Sequence, residues 1–337
     1  MNLIEEKYNK FALVREMMET PGIIRNFYQE TAAGFVQAVS VKRGFFLTGE
    51  GSSRIFPAKR AIYNLLKQAF PMPVLTEGST QAMEYNLANY AVFAASNSGQ
   101  TKEVVRLASL LARQGHKAVF GITANEKTKL QELVSLTHIL TCGKEEAVAA
   151  TKSVIEQGLF YHSLFHMLTG AEMDGLADFA DKAESALTEK ISPEIIQAMK
   201  RATVIYFAGR NNGVAEELAL KTNEITRKKS AFLEGTFAVH GIEEVMSKNE
   251  VVIVVDPFKE EEAKFHECLV KGVGMKVFAI TSGSSVFPSI TIPDGGEYKE
   301  YIQLAAGWNL LVETGLALGV DLDKPVRARK VGNEFIG

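Results

Sequence analysis

Residues 45–53 read FFLTGEGSS, a short apolar run that ends in two glycines and two serines. An apolar run bounded by turn residues predicts a buried strand, here Phe45–Leu47, followed by a tight turn. A pattern typical of an amphipathic helix, Ser53–Gln68, begins where this turn ends. A strand, a turn and a helix in this order form the repeating unit of a parallel α/β sheet.

The same unit recurs along the chain, because short apolar runs alternate with longer amphipathic stretches. Further strands are predicted at Ala91–Ala95, Val119–Thr123, His138–Thr141, Val204–Ala208, Val251–Val255, Val277–Thr281 and Ile290–Ile292. Further helices are predicted at Lys10–Val39, interrupted around Thr20-Pro21-Gly22, and at Thr101–Gln114, Thr151–Leu168, residues 175–200, Gly213–Lys228, Glu260–Lys271 and Lys299–Leu318. Apolar strands that alternate with helices are typical of doubly wound parallel sheets.

The two halves of the chain resemble each other. The segment FFLTGEGSS corresponds to YFAGRNNG at residues 206–213, with Gly49 and Gly209 about 160 positions apart. AVFAASNS corresponds to VVIVVDP at the same offset, and AVFGIT at residues 118–123 corresponds to KVFAIT at residues 276–281. Three segments that share nearly one offset indicate an internal duplication. The alternative is that any two doubly wound domains contain such apolar strings.

The fold prediction is therefore two tandem doubly wound α/β domains, each a three-layer αβα arrangement. The chain has 337 residues, which agrees with two domains of about 150 residues each. The predicted parts are an N-terminal helical segment at 1–40, a first domain at 41–172, a helical linker at 173–200, a second domain at 201–322 and a C-terminal tail at 323–337.

Composition excludes several classes of protein. The net charge is −3 and the longest basic run is Arg227-Lys228-Lys229, which disfavours nucleic-acid binding. The start of the chain lacks the pattern of a signal peptide, and no apolar run approaches the length of about 20 residues that a membrane span needs. Two cysteines, Cys142 and Cys268, cannot form a disulfide framework or a zinc knuckle. We therefore expect a cytoplasmic globular protein.

The turn at Gly49–Ser53 is a candidate anion site, since glycines allow close backbone approach and a helix start offers unpaired N–H groups. Arg54 stands where a dinucleotide-binding fingerprint requires its third glycine, so NAD fits poorly. Two serines at the turn suit a smaller phosphate. The alternative is that Ser52 or Ser53 is an ordinary helix N-cap.

A second hydroxyl-rich loop, Ser96-Asn97-Ser98-Gly99-Gln100-Thr101, follows the Ala91–Ala95 strand. Open α/β sheets bind ligands at the carboxyl ends of their strands, so the two loops are predicted to surround one phosphate with neutral donors. The loop lacks the Lys-Ser/Thr pair of a P-loop, which argues against nucleoside triphosphate chemistry.

The second half carries candidates for acid–base chemistry. Lys221 and Glu224 lie three residues apart on one predicted helix face. His240 stands in the apolar segment Phe237-Ala238-Val239-His240-Gly241, and histidine is the side chain best matched to proton transfer near neutrality. Taken alone, the first pair is also typical of a solvated ion pair and the histidine of a structural residue.

Nearly the whole chain resembles the SIS (sugar isomerase) double-domain family, being similar to the isomerase part of glucosamine-6-phosphate synthase and to fructosamine-6-phosphate deglycases. The family's Gly-Thr-Ser and Ser-Gln-Ser-Gly-Glu-Thr loops correspond to Gly51-Ser52-Ser53 and Ser96–Thr101. Its Glu-x-x-Val-Ala-Ser-Thr-Lys segment corresponds to Glu145–Lys152. Its Ala-Leu-Lys-x-x-Glu helix corresponds to residues 219–224, and its His-Gly to His240-Gly241 at the same spacing.

The resemblance implies roles for individual residues. Glu224 would shuttle a proton between C1 and C2 of an open-chain sugar phosphate, and Lys221 would stabilise the enediolate. His240 would assist ring opening, reaching the site of a neighbouring subunit in a homodimer. Lys330, in the family's Pro-x4-Lys tail, would lie over the sugar. The implied phosphate- and substrate-binding residues are Gly51, Ser52, Ser53, Ser96, Asn97, Ser98, Thr101, Val148 and Ala149. The chemistry requires no metal or redox cofactor.

The chain departs from the family before the histidine, where Thr236–Ile242 lacks the usual acid, lysine and proline, and the nearest acid is Glu234. The sequence starts near the family's second domain, so we expect that this chain alone does not form glucosamine 6-phosphate from glutamine. We therefore expect an enzyme that cleaves an aminated sugar 6-phosphate, as a deglycase or deaminase. The alternatives are a non-catalytic sugar-phosphate sensor and an ammonia-dependent isomerase that forms glucosamine 6-phosphate.

Overall fold

The computed structural model describes residues 1–39, 42–327 and 334. The chain divides into two compact units. The first-sheet unit comprises residues 23–145 and 150–176, and the second-sheet unit comprises residues 1–22, 146–149 and 177–327. Each unit contains one five-stranded sheet. The domain bounds expected from the sequence stay a prediction.

The first sheet has the strand order β2-β1-β3-β4-β5, and its paired strands are parallel. Its strands are β1 (Gly44–Gly49), β2 (Val74–Gly78), β3 (Tyr90–Ala95), β4 (Val119–Thr123) and β5 (Leu136–Ile139). The second sheet has the order β7-β6-β8-β9-β10 and is also parallel. Its strands are β6 (Val204–Gly209), β7 (Lys229–Glu234), β8 (Val251–Val255), β9 (Lys276–Thr281) and β10 (Ser289–Thr291). The two orders are identical, which confirms the prediction of two tandem doubly wound parallel sheets.

Helices connect the strands in both units. The α-helices of the first half are α1 (Glu6–Asn9), α2 (Ala12–Arg25), α3 (Ala33–Val39), α4 (Ile55–Lys67), α5 (Ser79–Ala82), α6 (Lys102–Arg113), α7 (Lys129–Leu133) and α8 (Lys152–Thr169). Those of the second half are α9 (Leu176–Thr188), α10 (Pro193–Arg201), α11 (Val214–Thr226), α12 (Glu262–Phe265) and α13 (Lys299–Leu318). A π-helical segment, His266–Val273, continues α12.

The interior strands form where the sequence is continuously apolar. Every residue of β1, β4 and β8 is buried, as expected for strands covered on both faces. The sequence reading missed β2 and β7, which lie at the edges of their sheets and carry polar residues. The edge strands β5 and β10 are predicted from short apolar runs, whereas β2 and β7 are only partly covered and lack such a run.

One helix contradicts the sequence reading. The interruption predicted around Thr20-Pro21-Gly22 is wrong, because α2 runs through Pro21 to Arg25. Proline removes one helical hydrogen bond, but Met17 and Ile24 on this helix are fully buried. The apolar surface that these residues bury holds the helix together across the missing bond.

Two glycines reveal the same steric constraint in both sheets. A Cβ atom on Gly49, the last residue of β1, would lie 2.8 Å from the carbonyl oxygen of Ala95. A Cβ atom on Gly209, the last residue of β6, would lie 2.7 Å from the carbonyl oxygen of Val255. Both positions therefore require glycine for the same physical reason. This shared constraint supports the internal duplication read from the sequence.

Candidate functional site

The two hydroxyl-rich loops of the first-sheet unit begin side by side. Gly49 is the register partner of Ala95 in the neighbouring strand, so the turn after β1 and the loop after β3 leave the same edge of the sheet. The strand order makes the gap between β1 and β3 the point where the winding direction reverses. Open α/β sheets bind ligands at this switch point, outside the carboxyl ends of the strands.

The turn after β1 is a short 3₁₀ helix, Gly51–Ser53. Gly51 has a φ of +53°, which glycine adopts without strain. The Gln157 amide donates to the carbonyl oxygen of Ser53 at 2.6 Å and ties the turn to α8. The helix α4 takes Arg54 as its N-cap residue and has no side-chain cap bond. The alternative reading of Ser52 or Ser53 as the N-cap of this helix is therefore wrong.

Hydrogen bonds within the loop after β3 fix its hydroxyl groups. Ser96 Oγ and Thr101 Oγ1 are 2.7 Å apart, and Ser98 Oγ accepts from the N–H of Gln100 at 3.1 Å. Gly99 has a φ of +65°, and a Cβ atom there would lie 2.4 Å from the side chain of Thr128. The loop is therefore a preorganised set of hydroxyl groups, held close against the neighbouring α7 segment.

The predicted ligand-binding residue Asn97 makes contacts inside the protein. Its amide nitrogen donates to Glu145 Oε2 at 2.8 Å and to Ser153 Oγ at 2.7 Å. Glu145 is buried and accepts the N–H of Thr151 at 2.7 Å, just before α8. A carboxylate at a helix N-terminus is stabilised by the helix dipole. Asn97 thus joins the loop to the start of α8 through Glu145, a supporting role that the sequence reading did not assign.

Glu50 is a half-buried acid next to the first turn. Its Oε1 accepts the N–H of Ser79 at 2.9 Å. Burial raises the pKa of the Glu50 carboxyl, and the negative charge of Glu103 raises it further. The sequence analysis does not predict Glu50 as a site residue, because a single acid between two glycines has no characteristic spacing to another functional residue.

The acid–base candidates of the second-sheet unit lie together on α11. Lys221 Nζ is 2.7 Å from Glu224 Oε2 and 3.4 Å from Glu217 Oε1. The Lys221 and Glu217 side chains are buried, whereas Glu224 keeps 23% of its side chain exposed. The interpretation of Lys221 and Glu224 as a solvated surface pair is therefore wrong. A buried ammonium group holds a carboxylate that solvent still reaches.

Glu217 is the member of this cluster that the sequence reading missed. It lies four residues before Lys221, a spacing that places both side chains on one helix face. The four-residue spacing of Glu217 and Lys221 is visible in the sequence, but it does not distinguish a buried acid from one at the surface. Two carboxylates and one ammonium group make the cluster negative overall.

His240 lies at the end of a 3₁₀ turn, Phe237–Val239. Its side chain is exposed, so the reading of a satisfied structural histidine is wrong. Lys264 Nζ is 3.4 Å from His240 Nε2. Gly241 follows with a φ of +111°, a conformation that favours glycine.

The remaining predicted residues are Val148, Ala149 and Lys330. The N–H of Val148 donates to the carbonyl oxygen of Asp323 at 3.3 Å, and Ala149 is buried; both belong to the second-sheet unit. Lys330 lies outside the described residues. No helix in the described part of the chain is long and apolar enough to cross a bilayer.

Comparisons with known proteins agree with this architecture. Residues 46–167 match the family model of the SIS domain. The C-terminal domain of glucosamine-fructose-6-phosphate aminotransferase from Francisella tularensis has 19% sequence identity and a TM-score of 0.77, over 95% of this chain and 100% of that one. Tagatose-6-phosphate ketose/aldose isomerase from Escherichia coli has 20% identity and a TM-score of 0.78, over 96% of this chain and 98% of that one.

A third solved structure, glucosamine-6-phosphate deaminase from Thermotoga maritima, has 18% identity and a TM-score of 0.74, over 95% of this chain and 98% of that one. No curated protein sequence matches the chain. The family match and the shared fold confirm the resemblance that the sequence motifs indicated.

Proposed function

The chain carries a SIS domain at residues 46–167, and from this premise we propose that it is an enzyme that acts on an aminated sugar 6-phosphate. Proton transfer through an enediol or enolamine intermediate gives an imine, and water hydrolyses the imine to an amine or ammonia and a hexose 6-phosphate. The observation that carries the proposal is the partly exposed Glu224 carboxylate held 2.7 Å from the buried ammonium group of Lys221.

Phosphate binding is assigned to the first-sheet unit. The loop after β3 presents Ser96, Ser98 and Thr101 hydroxyls already fixed by hydrogen bonds, and the turn after β1 begins beside it. Hydroxyl and backbone N–H donors at a strand end bind a phosphate without a strong net charge. The names of the three similar proteins each contain a sugar 6-phosphate, which is the same chemical class.

Proton transfer is assigned to the second-sheet unit. Glu224 removes the proton next to the carbonyl or imine carbon and returns it to the adjacent carbon. The Lys221 ammonium stabilises the negative charge that develops on the oxygen or nitrogen. His240 assists ring opening, which its exposed position permits. The role of Lys330 over the sugar rests on the family resemblance alone.

The test of this function is turnover on a panel of substrates. Glucosamine 6-phosphate and fructoselysine 6-phosphate are incubated with the protein, and free amine and hexose 6-phosphate are measured. We expect turnover of at least one substrate and a loss of about a thousandfold in Glu224→Gln, which cannot accept the proton. The control is Glu184→Gln, an exposed carboxyl on α9 whose loss should leave the rate unchanged.

Unchanged turnover in Glu224→Gln would contradict the assignment of the base. Binding of these phosphosugars without turnover of any of them would identify a sensor instead. Formation of glucosamine 6-phosphate from fructose 6-phosphate and ammonia, at a higher rate than the cleavage of glucosamine 6-phosphate, would identify the ammonia-dependent isomerase.

The proposal includes a homodimer in which His240 serves the site of the partner copy. Glu224→Gln and His240→Ala variants are purified separately, mixed under conditions that exchange subunits, and assayed. If the two residues act on one substrate from different copies, the mixture regains activity that neither variant has alone. No recovery, in a mixture shown to have exchanged subunits, would contradict the shared site.

A further inference from the structure

The second sheet has a switch point of its own. Gly209 is the register partner of Val255, so the segments after β6 and β8 leave the same edge of the sheet, as those after β1 and β3 do. The residues that follow these strands are Arg210 and Asp256. At the offset of 160 positions they correspond to Glu50 and Ser96 of the first sheet. The first sheet therefore has an acidic and a hydroxyl residue at these two positions, whereas the second sheet has a basic and an acidic residue.

Two cations converge on the carboxylate at this switch point. Arg210 Nη1 is 2.9 Å from Asp256 Oδ2, and Lys299 Nζ is 2.7 Å from Asp256 Oδ1. One carboxylate cannot neutralise both, so these three residues carry a net charge of about +1. The three side chains are between 20% and 28% exposed, which leaves the group accessible to a ligand from solvent.

The guanidinium group is held in a fixed plane. Its central carbon lies 4.1 Å from the centre of the Phe258 ring, a cation–π contact that orients it. Both of its contacts to Asp256 use Nη1. Among the residues that the structure describes, none lies within hydrogen-bond distance of Arg210 Nε or Nη2. These two nitrogens form the side of the guanidinium group that can donate two parallel hydrogen bonds to an oxyanion.

The adjoining strand end adds further donors. Lys259, next to Phe258, has its Nζ 3.5 Å from Ser284 Oγ. Ser284 belongs to the loop Thr281–Ser285 after β9, which contains four hydroxyl residues and one glycine. Thr281 Oγ1 accepts the N–H of Gly283 at 3.1 Å, so the loop folds back over the strand end. The first sheet has no comparable cations at the residues after β1 and β3.

We propose that the carboxyl end of the second sheet is a second anion site, which binds a phosphate group through Arg210 and Lys299. The free edge of the Arg210 fork and the Lys299 ammonium hold two phosphate oxygens, and Asp256 orients both cations while weakening the binding by its own charge. The inference goes beyond the proposed function, because it assigns a ligand to a region that contains none of the catalytic candidates.

The test uses inorganic phosphate and a protein in which Ser96→Ala and Ser98→Ala weaken the first site. The dissociation constant is measured from the ³¹P line width at constant ionic strength. We expect phosphate binding to persist in this background and to weaken about tenfold on Arg210→Gln or Lys299→Gln, as for the loss of one charged hydrogen bond. Asp256→Asn should tighten binding, because it removes the competing negative charge while keeping the side-chain shape.

The matched control is Lys276→Gln, a lysine at the opposite end of β9 that pairs with the exposed Glu194. It should leave the constant unchanged. Absence of phosphate binding in the background protein, or weaker binding in Asp256→Asn, would overturn the proposal. Asp256→Asn decides the matter even if Arg210→Gln does not fold. Glucosamine 6-phosphate competing with phosphate identifies a sugar phosphate as the ligand, and failure to compete identifies free phosphate.

Discussion

The carboxyl ends of the two sheets share their geometry and differ in their chemistry. Both sheets have the same strand order and the same glycine pressed against the neighbouring strand's last carbonyl. The loop after β3 presents hydroxyl groups that bond to one another, as Ser96 and Thr101 do. After β6 and β8 come charged groups that bond to one another, as Arg210 and Asp256 do. The fold therefore fixes where a ligand can bind, and the residues just beyond the strands decide which ligand.

The comparison extends to what each unit buries. The second-sheet unit buries Lys221 between two carboxylates on α11, whereas α4, its counterpart after β1, contains no such cluster. Burying an ion pair costs desolvation energy, so an intact cluster of this kind is a weak source of stability, whereas removing one partner leaves an uncompensated buried charge.

The largest expected effect is on stability. Lys221→Met removes the cation from Glu217 and Glu224 and should lower the free energy of unfolding by about 3–5 kcal/mol, measured by urea denaturation. The exposed Lys129–Glu132 pair of the first-sheet unit is the control, and Lys129→Met should change the same quantity by less than about 1 kcal/mol. Equal effects of the two substitutions would contradict the buried cluster.

The next largest effect is a pH dependence of the free energy of unfolding that we expect from the first repeat only. His138 on β5 stacks on Phe160 with ring centres 4.3 Å apart, and burial lowers its pKa from 6.5 to about 4. Ile290 of β10 occupies the corresponding register position, beside Ile280 as His138 lies beside Ile122. Only the first sheet therefore carries a titrating group at this point.

As the pH falls below 6.5, the unfolded chain binds a proton at His138 while the folded chain does not. The free energy of unfolding therefore stays constant with respect to His138 above pH 6.5. It falls progressively between pH 6.5 and pH 4, by about 3 kcal/mol in total. His138→Phe keeps the ring stack and should remove this part of the pH dependence, measured by urea denaturation between pH 7 and pH 4. An unchanged pH dependence would contradict the lowered pKa.

The glycine constraint should appear in both repeats. Gly49→Ala and Gly209→Ala each place a Cβ atom within 2.8 Å of a backbone carbonyl oxygen. We expect Gly49→Ala to lower the free energy of unfolding by about 2 kcal/mol and Gly209→Ala to lower it by more, because the φ of +155° at Gly209 also disfavours a side chain. Gly22→Ala is the control, because nothing lies within 4 Å of its Cβ position inside α2. It should be neutral or slightly stabilising. A neutral effect of either Gly49→Ala or Gly209→Ala, measured by urea denaturation, would contradict the shared constraint.

The smallest effect concerns the substrate. Ser96→Ala should raise KM for a phosphorylated substrate about tenfold with little change in kcat, since the hydroxyl binds the phosphate in ground state and transition state alike. Thr291→Ala, which removes an exposed hydroxyl at the end of β10 in the second sheet, is the matched control and should leave both constants unchanged. A fall in kcat with unchanged KM in Ser96→Ala would contradict its assignment to phosphate binding.

Local patterns in the sequence predicted the interior strands and two of the four edge strands, β5 and β10, but missed the other two, β2 and β7. The apolar runs at β8 and β4 match the observed strands because burial on both faces leaves no room for polar residues. β2 and β7 are only partly buried and contain polar residues, so they lack the apolar run that predicts a strand. The helix α13 coincides with the predicted range Lys299–Leu318.

For the site, spacing predicted which side chains meet but not how deeply they lie. Lys221 and Glu224 at three residues apart are in contact as expected, yet their burial depends on tertiary packing that spacing does not encode. The same limit applies to Asn97, whose amide contacts Glu145, 48 positions away in the sequence.

The central claim is that Glu224 moves a proton between adjacent carbons of a phosphosugar. The most direct test uses the best substrate of the panel, deuterated at the carbon next to its carbonyl or imine carbon. The account predicts that the deuterium appears on the neighbouring carbon of the product or in water, and that Glu224→Gln stops this transfer. Turnover that leaves all the deuterium in place, or no turnover of any substrate, would contradict it.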